Sequence, residues 1–192
     1  MSGLSVWDVL LAVLAGYLIG SFPTGVIAGR LLGGVDPRTV GSGHTGGTNV
    51  FRNVNRVAGV VTALVDIGKG ALAVWLVLQV VPNPWIVPFV GTAAVAGHCW
   101  PVFTQFRGGM GVGVAGGLAL WFFPLLIPIV AAIYLALHFI FKHQARAMML
   151  ASALIPMILL TLHVDSPDLL LGSGISVVLI IRWASDFYRV YE

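Results

Sequence analysis

The chain has 192 residues, of which 58% are hydrophobic and only 9% are charged, and its mean hydropathy is +0.98. These values exclude an ordinary soluble globular protein. The net charge of +3 gives no reason to expect a nucleic-acid partner, and the single Cys99 excludes an internal disulfide and matches no metal-ligand spacing.

Long apolar runs predict membrane-spanning helices, since about 20 mostly apolar residues cross a bilayer core. The runs are continuous rather than alternating, which favours helices over a β-barrel. No basic segment precedes the first run, so we interpret it as a retained helix and not as a signal peptide. The length fits one domain, residues 1–192. We predict seven helices, near residues 5–31, 57–81, 85–104, 110–123, 124–142, 147–163 and 168–184.

The basic residues orient these helices. The stretch from Gly108 to Lys142 is too long for one crossing, and Pro124 and Pro128 indicate a break that gives two spans. Seven spans from an outside N-terminus then place nine of the ten basic residues in the cytoplasm, as the positive-inside rule requires. These nine are Arg30, Arg38, Arg52, Arg56, Arg107, Lys142, Arg146, Arg182 and Arg189. The sequence predicts an all-α integral membrane protein with a cytoplasmic C-terminus.

The first predicted helix contains GSFPTG, residues Gly20–Gly25. Pro23 cannot donate a helical hydrogen bond, and helix breaks in membranes occur where the backbone is buried in protein or lines a wet cavity. The pattern predicts a functional break with Ser21 as a supporting residue, and the alternative is a simple kink.

The most polar stretch is VGSGHTGGTNVFR, from Val40 to Arg52. It nearly matches a P-loop, but Gly47 stands where the lysine belongs, so a nucleotide-hydrolysing fold is not supported. Glycines nevertheless let successive N–H groups turn towards one anion. We predict a phosphate-binding cradle here, and the alternative is a flexible cytoplasmic loop. Its candidate residues are Gly41, Ser42, Gly43, Thr45, Thr48, Asn49 and Arg52.

A second cluster, GHCWPVFTQFRGGMG, runs from Gly97 to Gly111. Its glycines precede a predicted helix, which is a natural place for an anion. We predict that Arg107, Gly108 and Gly109 form a second anion cradle, with His98 as a supporting residue. The alternatives are tight helix packing for the glycines and a buried structural role for the histidine.

Lys69, the tenth basic residue, lies inside the second predicted span, and Asp66 precedes it by one helical turn. A charge at membrane depth indicates either a functional site or an internal ion pair. The sequence contains no nucleophile motif and no carboxylate pair placed for acid–base catalysis.

Four motifs, GSFPTG, VGSGHTGGTNVFR, VDIGKG and GHCWPVFTQFRGGMG, occur in this order. Together they resemble those of the bacterial acyl-phosphate-dependent glycerol-3-phosphate acyltransferases of the PlsY type. The resemblance implies a seven-helix inner (plasma) membrane enzyme with cytoplasmic active loops. It implies acyl transfer from acyl phosphate to the 1-hydroxyl of sn-glycerol 3-phosphate, giving lysophosphatidic acid without a covalent enzyme intermediate. It further implies no metal or cofactor, and an acyl-phosphate-forming enzyme as a partner.

The resemblance also implies roles for individual residues. Ser42, Asn49 and Lys69 are candidate catalytic residues, with Lys69 and Arg52 neutralising substrate phosphate, and a substrate phosphate takes the hydroxyl proton. His44 stands where the family has Asn, and it is a candidate base. Other departures from the family pattern are Gly47, Met110, Met149, Trp183 and Asp186. The last two lie in the basic, aromatic tail RWASDFYR, whose composition fits a membrane-interface anchor.

Two alternatives remain at this point. A transporter of a phosphorylated solute would share the buried charges and the broken first helix, although no internal repeat supports it. A non-catalytic lipid-binding paralogue would explain the departures from the family pattern.

Overall fold

The computed structural model describes residues 3–189, which form α-helices and no strand, as predicted. The helices are α1 (Val6–Gly20), α2 (Thr24–Gly33), α3 (Gly47–Asn53), α4 (Arg56–Val80), α5 (Val87–Cys99), α6 (Val112–Phe122), α7 (Leu126–Phe141), α8 (Gln144–Ala153), α9 (Ile155–Thr161) and α10 (Ser166–Ala184). Short 3₁₀ helices lie at Pro37–Thr39, Pro84–Ile86 and Val102–Thr104.

Among the described residues, five helical segments are long and apolar enough to cross a membrane. These segments are Val6–Gly33, Arg56–Val80, Pro84–Thr104, Gln144–Thr161 and Ser166–Ala184. The helices α6 and α7 are equally apolar but shorter, at 11 and 16 residues. The break that Pro124 predicted between them lies at residues 123–125.

Two of the crossing segments are interrupted at a proline. The first is broken at residues 21–23, as the sequence predicted; the carbonyl of Ile19 lacks a donor at Pro23 and instead accepts from the N–H of Phe22 at 3.2 Å. Pro156 breaks the segment of α8 and α9 in the same way. The carbonyl of Ser152, one turn earlier, accepts from the hydroxyl of Ser176 on α10 at 2.6 Å. The sequence analysis expected an uninterrupted helix there, and it did not predict the short α3.

Small residues let the helices approach closely. A β-carbon at Gly20 on α1 would overlap the backbone carbonyl of Ala94 on α5. A β-carbon at Gly97 on α5 would likewise overlap the backbone carbonyl of Tyr17 on α1. On the other side of the molecule, a β-carbon at Gly117 on α6 would overlap the carbonyl of Ile67 on α4. Such contacts are characteristic of helices in membranes, where apolar burial alone does not drive helix association.

The apolar residues are divided between a small core and the outer surface. Leu118, Leu171 and Val90 are fully buried where α5, α6 and α10 meet. Large apolar side chains such as Val80 and Phe139 remain about four-fifths exposed, at 81% and 78%. In a soluble protein such surfaces would promote aggregation, whereas lipid tails solvate them without cost.

The adjacent glycines of α6 provide a matched test of this packing. We expect Gly117→Ala to lower the free energy of unfolding by about 1–3 kcal/mol, because the new methyl group must push α6 away from α4. Thermal unfolding of the purified protein in detergent measures the change. Gly116→Ala is the control, since no heavy atom lies within 4 Å of a β-carbon there. Equal melting temperatures for the two variants would contradict this description of the helix contact.

Candidate functional site

The side chain of Asn49 organises the first glycine-rich loop from inside. It is buried at the start of α3, where its Oδ1 accepts from the N–H of Ser42 at 3.0 Å. Its Nδ2 lies 2.9 Å from the carbonyl oxygen of Pro37, 3.2 Å from that of Val40 and 2.8 Å from that of His44. One amide group therefore fixes both ends of the loop from Val40 to His44.

Two glycines allow the loop to wrap around this amide. Gly41 and Gly43 have φ of 55° and 70°, a left-handed conformation that other residues rarely adopt. A β-carbon at Gly41 would also overlap the Asn49 Oδ1 and the amide of Asn53. The glycines are therefore required by backbone geometry and by space. The N–H groups of Ser42, Gly43 and Thr45, which the cradle hypothesis directed at a phosphate, instead donate to Asn49 Oδ1 and to the carbonyls of Val40 and Gly108.

The second glycine-rich loop lies against the first. The N–H of Thr45 donates to the carbonyl of Gly108 at 3.4 Å. Arg182, in the last turn of α10, donates through Nε to the carbonyl of Gly109 at 2.7 Å and through a terminal nitrogen to that of Gly108 at 3.4 Å. The two clusters that the sequence analysis treated separately form one surface.

The tail that follows α10 closes over this surface. Arg189 donates to the carbonyl of Ser42 at 2.7 Å, and the Oδ2 of Asp186 lies 3.5 Å from the Nε2 of His44. The guanidinium of Arg146 on α8 stacks 4.9 Å from the ring centre of Phe187. These contacts hold the tail on the loops, where the sequence analysis had expected only a membrane-interface anchor.

Two cavities lie on either side of the loop from Gly41 to His44. The larger has a volume of about 870 Å³ and the smaller about 440 Å³. Four arginines line the smaller cavity, namely Arg38, Arg107, Arg182 and Arg189. Gly41, Ser42, His44 and Arg189 line both cavities and form the partition between them.

The larger cavity runs from polar loops into an apolar interior. Arg52 lies at its polar side, and within the described residues no hydrogen-bond or ion-pair partner is found for its side chain. The other polar groups on its wall are Ser42, His44, Thr48, Asn49, Asn53, Asp66, His98, Tyr134, Gln144 and Arg189. The interior wall is formed by Ala63, Ile67, Met110, Val112, Met148 and Trp183.

A buried charge cluster lies at the inner end of this cavity. Lys69 Nζ is 3.0 Å from Asp66 Oδ1, and His98 Nδ1 is 3.5 Å from the same oxygen. Lys69 also lies 3.4 Å from the carbonyl of Phe22, in the break between α1 and α2. Within residues 3–189 no group of three or more His, Cys, Asp or Glu side chains could hold a metal ion.

Two residues outside the membrane-spanning helices, Asp36 and His44, have shifted pKa values. Hydrogen bonds from Arg38, supported by Arg30, hold the pKa of Asp36 well below its usual range. Burial lowers the pKa of His44 to about 4, with Asp186 opposing the shift and Arg182 and Arg189 adding to it. His44 is therefore neutral at pH 7, while Asp36 is ionised and fixes Arg38 in place.

Comparison with known proteins identifies the family. The family described as glycerol-3-phosphate acyltransferase matches residues 10–192. A glycerol-3-phosphate acyltransferase from Synechococcus sp. (strain CC9605) is 36% identical over 186 residues, which cover 97% of this chain and 92% of the relative. The chain belongs to the glycerol-3-phosphate acyltransferase family.

Solved structures of this family have the same fold. PlsY (YgiH), an integral membrane glycerol 3-phosphate acyltransferase, in its glycerol 3-phosphate form matches with a TM-score of 0.77 and 29% identity, over 94% of this chain and 90% of that one. Its lysophosphatidic acid form matches with a TM-score of 0.76 and 27% identity, over the same shares of the two chains. This member of the acyltransferase family is accordingly a multi-pass membrane protein.

Most of the site residues that were predicted from the sequence line one or both of the two cavities. Gly41, Ser42, His44, Thr48, Asn49, Arg52, Asp66 and His98 line the larger one, and Gly41, Ser42, Gly43, His44, Arg107 and Gly108 line the smaller one. The remaining four candidates lie behind these walls, namely Ser21, Thr45, Lys69 and Gly109. Their roles stay predictions, and Lys69 is paired with Asp66 behind the wall of the larger cavity.

The sequence analysis missed several residues that this acyltransferase places at the site. Arg38, Arg182 and Arg189 line the arginine-rich cavity, and Met148 lines the larger cavity where Met149 had been singled out. The basic character of the tail was the available signal for Arg182 and Arg189. It was read as a membrane anchor because nothing local in the sequence indicates that the tail returns to residue 42.

The Asn49 network can be tested by a change of nearly identical size. We expect Asn49→Asp to destabilise the protein by about 2–4 kcal/mol, because an oxygen would replace the nitrogen that faces three carbonyl groups. Thermal unfolding in detergent measures the loss. Asn83→Asp is the control, since Asn83 caps a 3₁₀ helix through its Oδ1, which aspartate retains. A variant at position 49 as stable as the one at position 83 would disprove the organising role.

Proposed function

We propose that the protein transfers an acyl group from an acyl phosphate to the 1-hydroxyl of sn-glycerol 3-phosphate and releases lysophosphatidic acid and phosphate. Family membership gives the reaction class, and the partition between two cavities is the observation that supports a two-substrate site. Both substrates carry a phosphate, and both cavities are lined by glycine-rich backbone and arginine. The polar loops meet an apolar interior, as an enzyme joining a soluble substrate to an acyl chain requires.

The proposed phosphate contacts follow the cavity walls. In the larger cavity Ser42 supplies its hydroxyl, Thr48 lies beside it, and Arg52 supplies charge. In the smaller cavity Arg107 supplies charge to the second anion site, with Gly43 and Gly108 beside it. Asn49 acts by holding the loop, and its amide has no donor to spare for a substrate.

The proposed reaction needs no covalent enzyme intermediate. An acyl phosphate is already activated, so the acceptor hydroxyl attacks the acyl carbonyl directly, and the bond between that carbon and the phosphate oxygen breaks. Holding two anions in register and stabilising the developing negative charge are then the main contributions of the protein. The absence of a nucleophile motif from the sequence agrees with this scheme.

The apolar wall of the larger cavity is the proposed site of the acyl chain. Ala63 and Ile67 on α4 and Val112 on α6 lead away from the polar loops towards the lipid-exposed faces of the helices. The phosphate end of the substrate would lie at the loops and the chain between helices. An enzyme that forms acyl phosphate is the expected source of this substrate.

We further infer that α6 and α7 each cross the membrane, giving seven spans with the N-terminus outside and the active loops in the cytoplasm. At about 1.5 Å per residue, α6 is only about 16 Å long and α7 about 24 Å. Because Gly113 of α6 already lies beside Asp66, well inside α4, the turn between α6 and α7 would lie near the outer surface. The one-sided distribution of basic residues supports this orientation in the cell's inner membrane.

Cysteine labelling tests this topology. In a Cys99→Ala background we expect Leu125→Cys to react with an impermeant maleimide in spheroplasts, and Lys142→Cys to react only after the membrane is permeabilised. Leu125 is exposed in the turn between α6 and α7, so labelling at this position from outside shows that α6 and α7 each cross the membrane. Protection of Leu125→Cys from outside, with labelling from inside, would reduce the count to five spans.

A phosphate-release assay tests the activity. We expect the purified protein to release phosphate from palmitoyl phosphate only when glycerol 3-phosphate is present, and lysophosphatidic acid to form in equal amount. Folded protein that releases no phosphate with any of several phosphorylated acceptors would contradict the proposal. Hydrolysis without acceptor, or flux of glycerol 3-phosphate in proteoliposomes without transfer, would point to another function.

The same assay examines the phosphate cradle. Arg52→Gln is expected to raise the KM for a phosphate-bearing substrate about 10- to 100-fold, because a charge-assisted contact in the larger cavity is lost. Arg56→Gln is the matched control, since Arg56 is exposed at the start of α4 and lines neither cavity. A similar change in both variants would indicate a general effect of surface charge.

A further inference from the structure

His44 occupies the partition between the two cavities and contacts both. Its side chain is 13% exposed, and the carboxylate of Asp186 beside it is 7% exposed. Asp186 is fixed in turn by the hydroxyl of Ser185 at 3.3 Å and by Arg189 at 3.5 Å. A histidine held by a carboxylate thus faces the space where two substrates would meet.

The geometry distinguishes the two ring nitrogens of His44. Nε2 lies 3.5 Å from Asp186 Oδ2, which favours the tautomer that carries its proton on Nε2. Within the described part of the chain, no group hydrogen-bonds to Nδ1. The lone pair on Nδ1 is therefore available to a ligand. A distance of 3.5 Å is long for a hydrogen bond, but such contacts commonly tighten when substrate binds.

Burial lowers the pKa of His44 and keeps the imidazole unprotonated before substrate binds. Among the neighbouring charges, Asp186 favours protonation, while Arg182 at the end of α10 and Arg189 in the tail oppose it. A substrate phosphate that binds to these arginines in the smaller cavity would offset their charge. The basicity of the imidazole would then rise in the complex, when a proton must be removed.

We propose that His44 is the general base that removes the proton from the acceptor hydroxyl, and that Asp186 is the positioning residue that holds it. This inference rests on the proposed acyl transfer. The hydroxyl oxygen bonds to the acyl carbon while its proton passes to Nδ1 of His44, and the phosphate departs with the electron pair of the broken C–O bond. His44 then returns the proton to the departing phosphate, so that the enzyme is regenerated.

A second histidine–aspartate pair, His98 with Asp66, also reaches the larger cavity, but it is less suited to this step. The charge of Asp66 is shared with Lys69 at 3.0 Å. The Nε2 of His98 is packed so tightly against Gly109 that a β-carbon there would overlap it. His98 also lines only one cavity, whereas His44 lines both.

Two substitutions at position 44 test the proposal in the full-length protein. We expect His44→Gln and His44→Ala to lower kcat about 100-fold, within the usual contribution of a general base, while KM changes less than about threefold. Added imidazole is expected to restore at least about tenfold of the lost rate in His44→Ala, which a purely structural histidine would not permit. Asp186→Asn is expected to lower kcat about tenfold, with little change in KM.

The control is His163→Asn. His163 is exposed, lines neither cavity and has a φ of 54°, which asparagine readily adopts. The kcat of this variant should equal that of the wild type. If His44→Gln is folded and keeps kcat within about threefold of the wild type, another group accepts the hydroxyl proton. The role of His44 is then disproved, while the proposed acyl transfer stands. If the wild type forms no lysophosphatidic acid, the proposed function fails and this inference fails with it.

Discussion

The arrangement of the site depends on one buried amide. The side chain of Asn49 binds three backbone groups of the loop from Val40 to His44, which has no regular structure of its own, and the carbonyl of Pro37 in the 3₁₀ helix before it. Because that loop is the partition between the two cavities, its shape determines where both substrates could lie. An aspartate would present an oxygen to the three carbonyl groups, and a leucine would leave them unpaired, so few residues other than asparagine can serve here. The glycines at 41 and 43 are the other half of this constraint, since they let the chain turn around the amide.

The second requirement is that distant parts of the chain converge on this loop. Arg189 reaches the carbonyl of Ser42 across 147 positions, and Arg182 reaches that of Gly109 across 73. Each guanidinium donates to a loop carbonyl and carries a positive charge beside the smaller cavity, and Arg189 also pairs with Asp186. The same residues therefore hold the loops together and make the smaller cavity attractive to an anion. This double use explains why the tail is folded back instead of lying along the membrane.

The sequence predicted the helices better than their junctions. Hydrophobic length and Pro23 were sufficient for α1, α2, α4 and α10, because each of these signals is local. The break before Pro156 was missed, although the proline was visible, because its acceptability depends on the hydroxyl of Ser176 on another helix. The glycine-rich loops were correctly singled out, but their contact was not. That contact rests on Arg182 and Thr45, whose partners lie more than 60 residues away and leave no pattern in the local sequence.

The buried charges of Lys69 and Asp66 are accommodated partly by the helix break at residues 21–23. An isolated lysine at membrane depth would be strongly unfavourable, but Lys69 is paired with Asp66 and also donates to the carbonyl of Phe22. Asp66 faces the larger cavity, whereas Lys69 lies behind it. The inner end of the cavity therefore presents a neutralised pair, and the unpaired positive charge is at Arg52 near the loops. A field of this kind would draw a phosphate to the loops and leave the interior to the acyl chain. It would orient an acyl phosphate with its carbonyl beside the partition that His44 occupies.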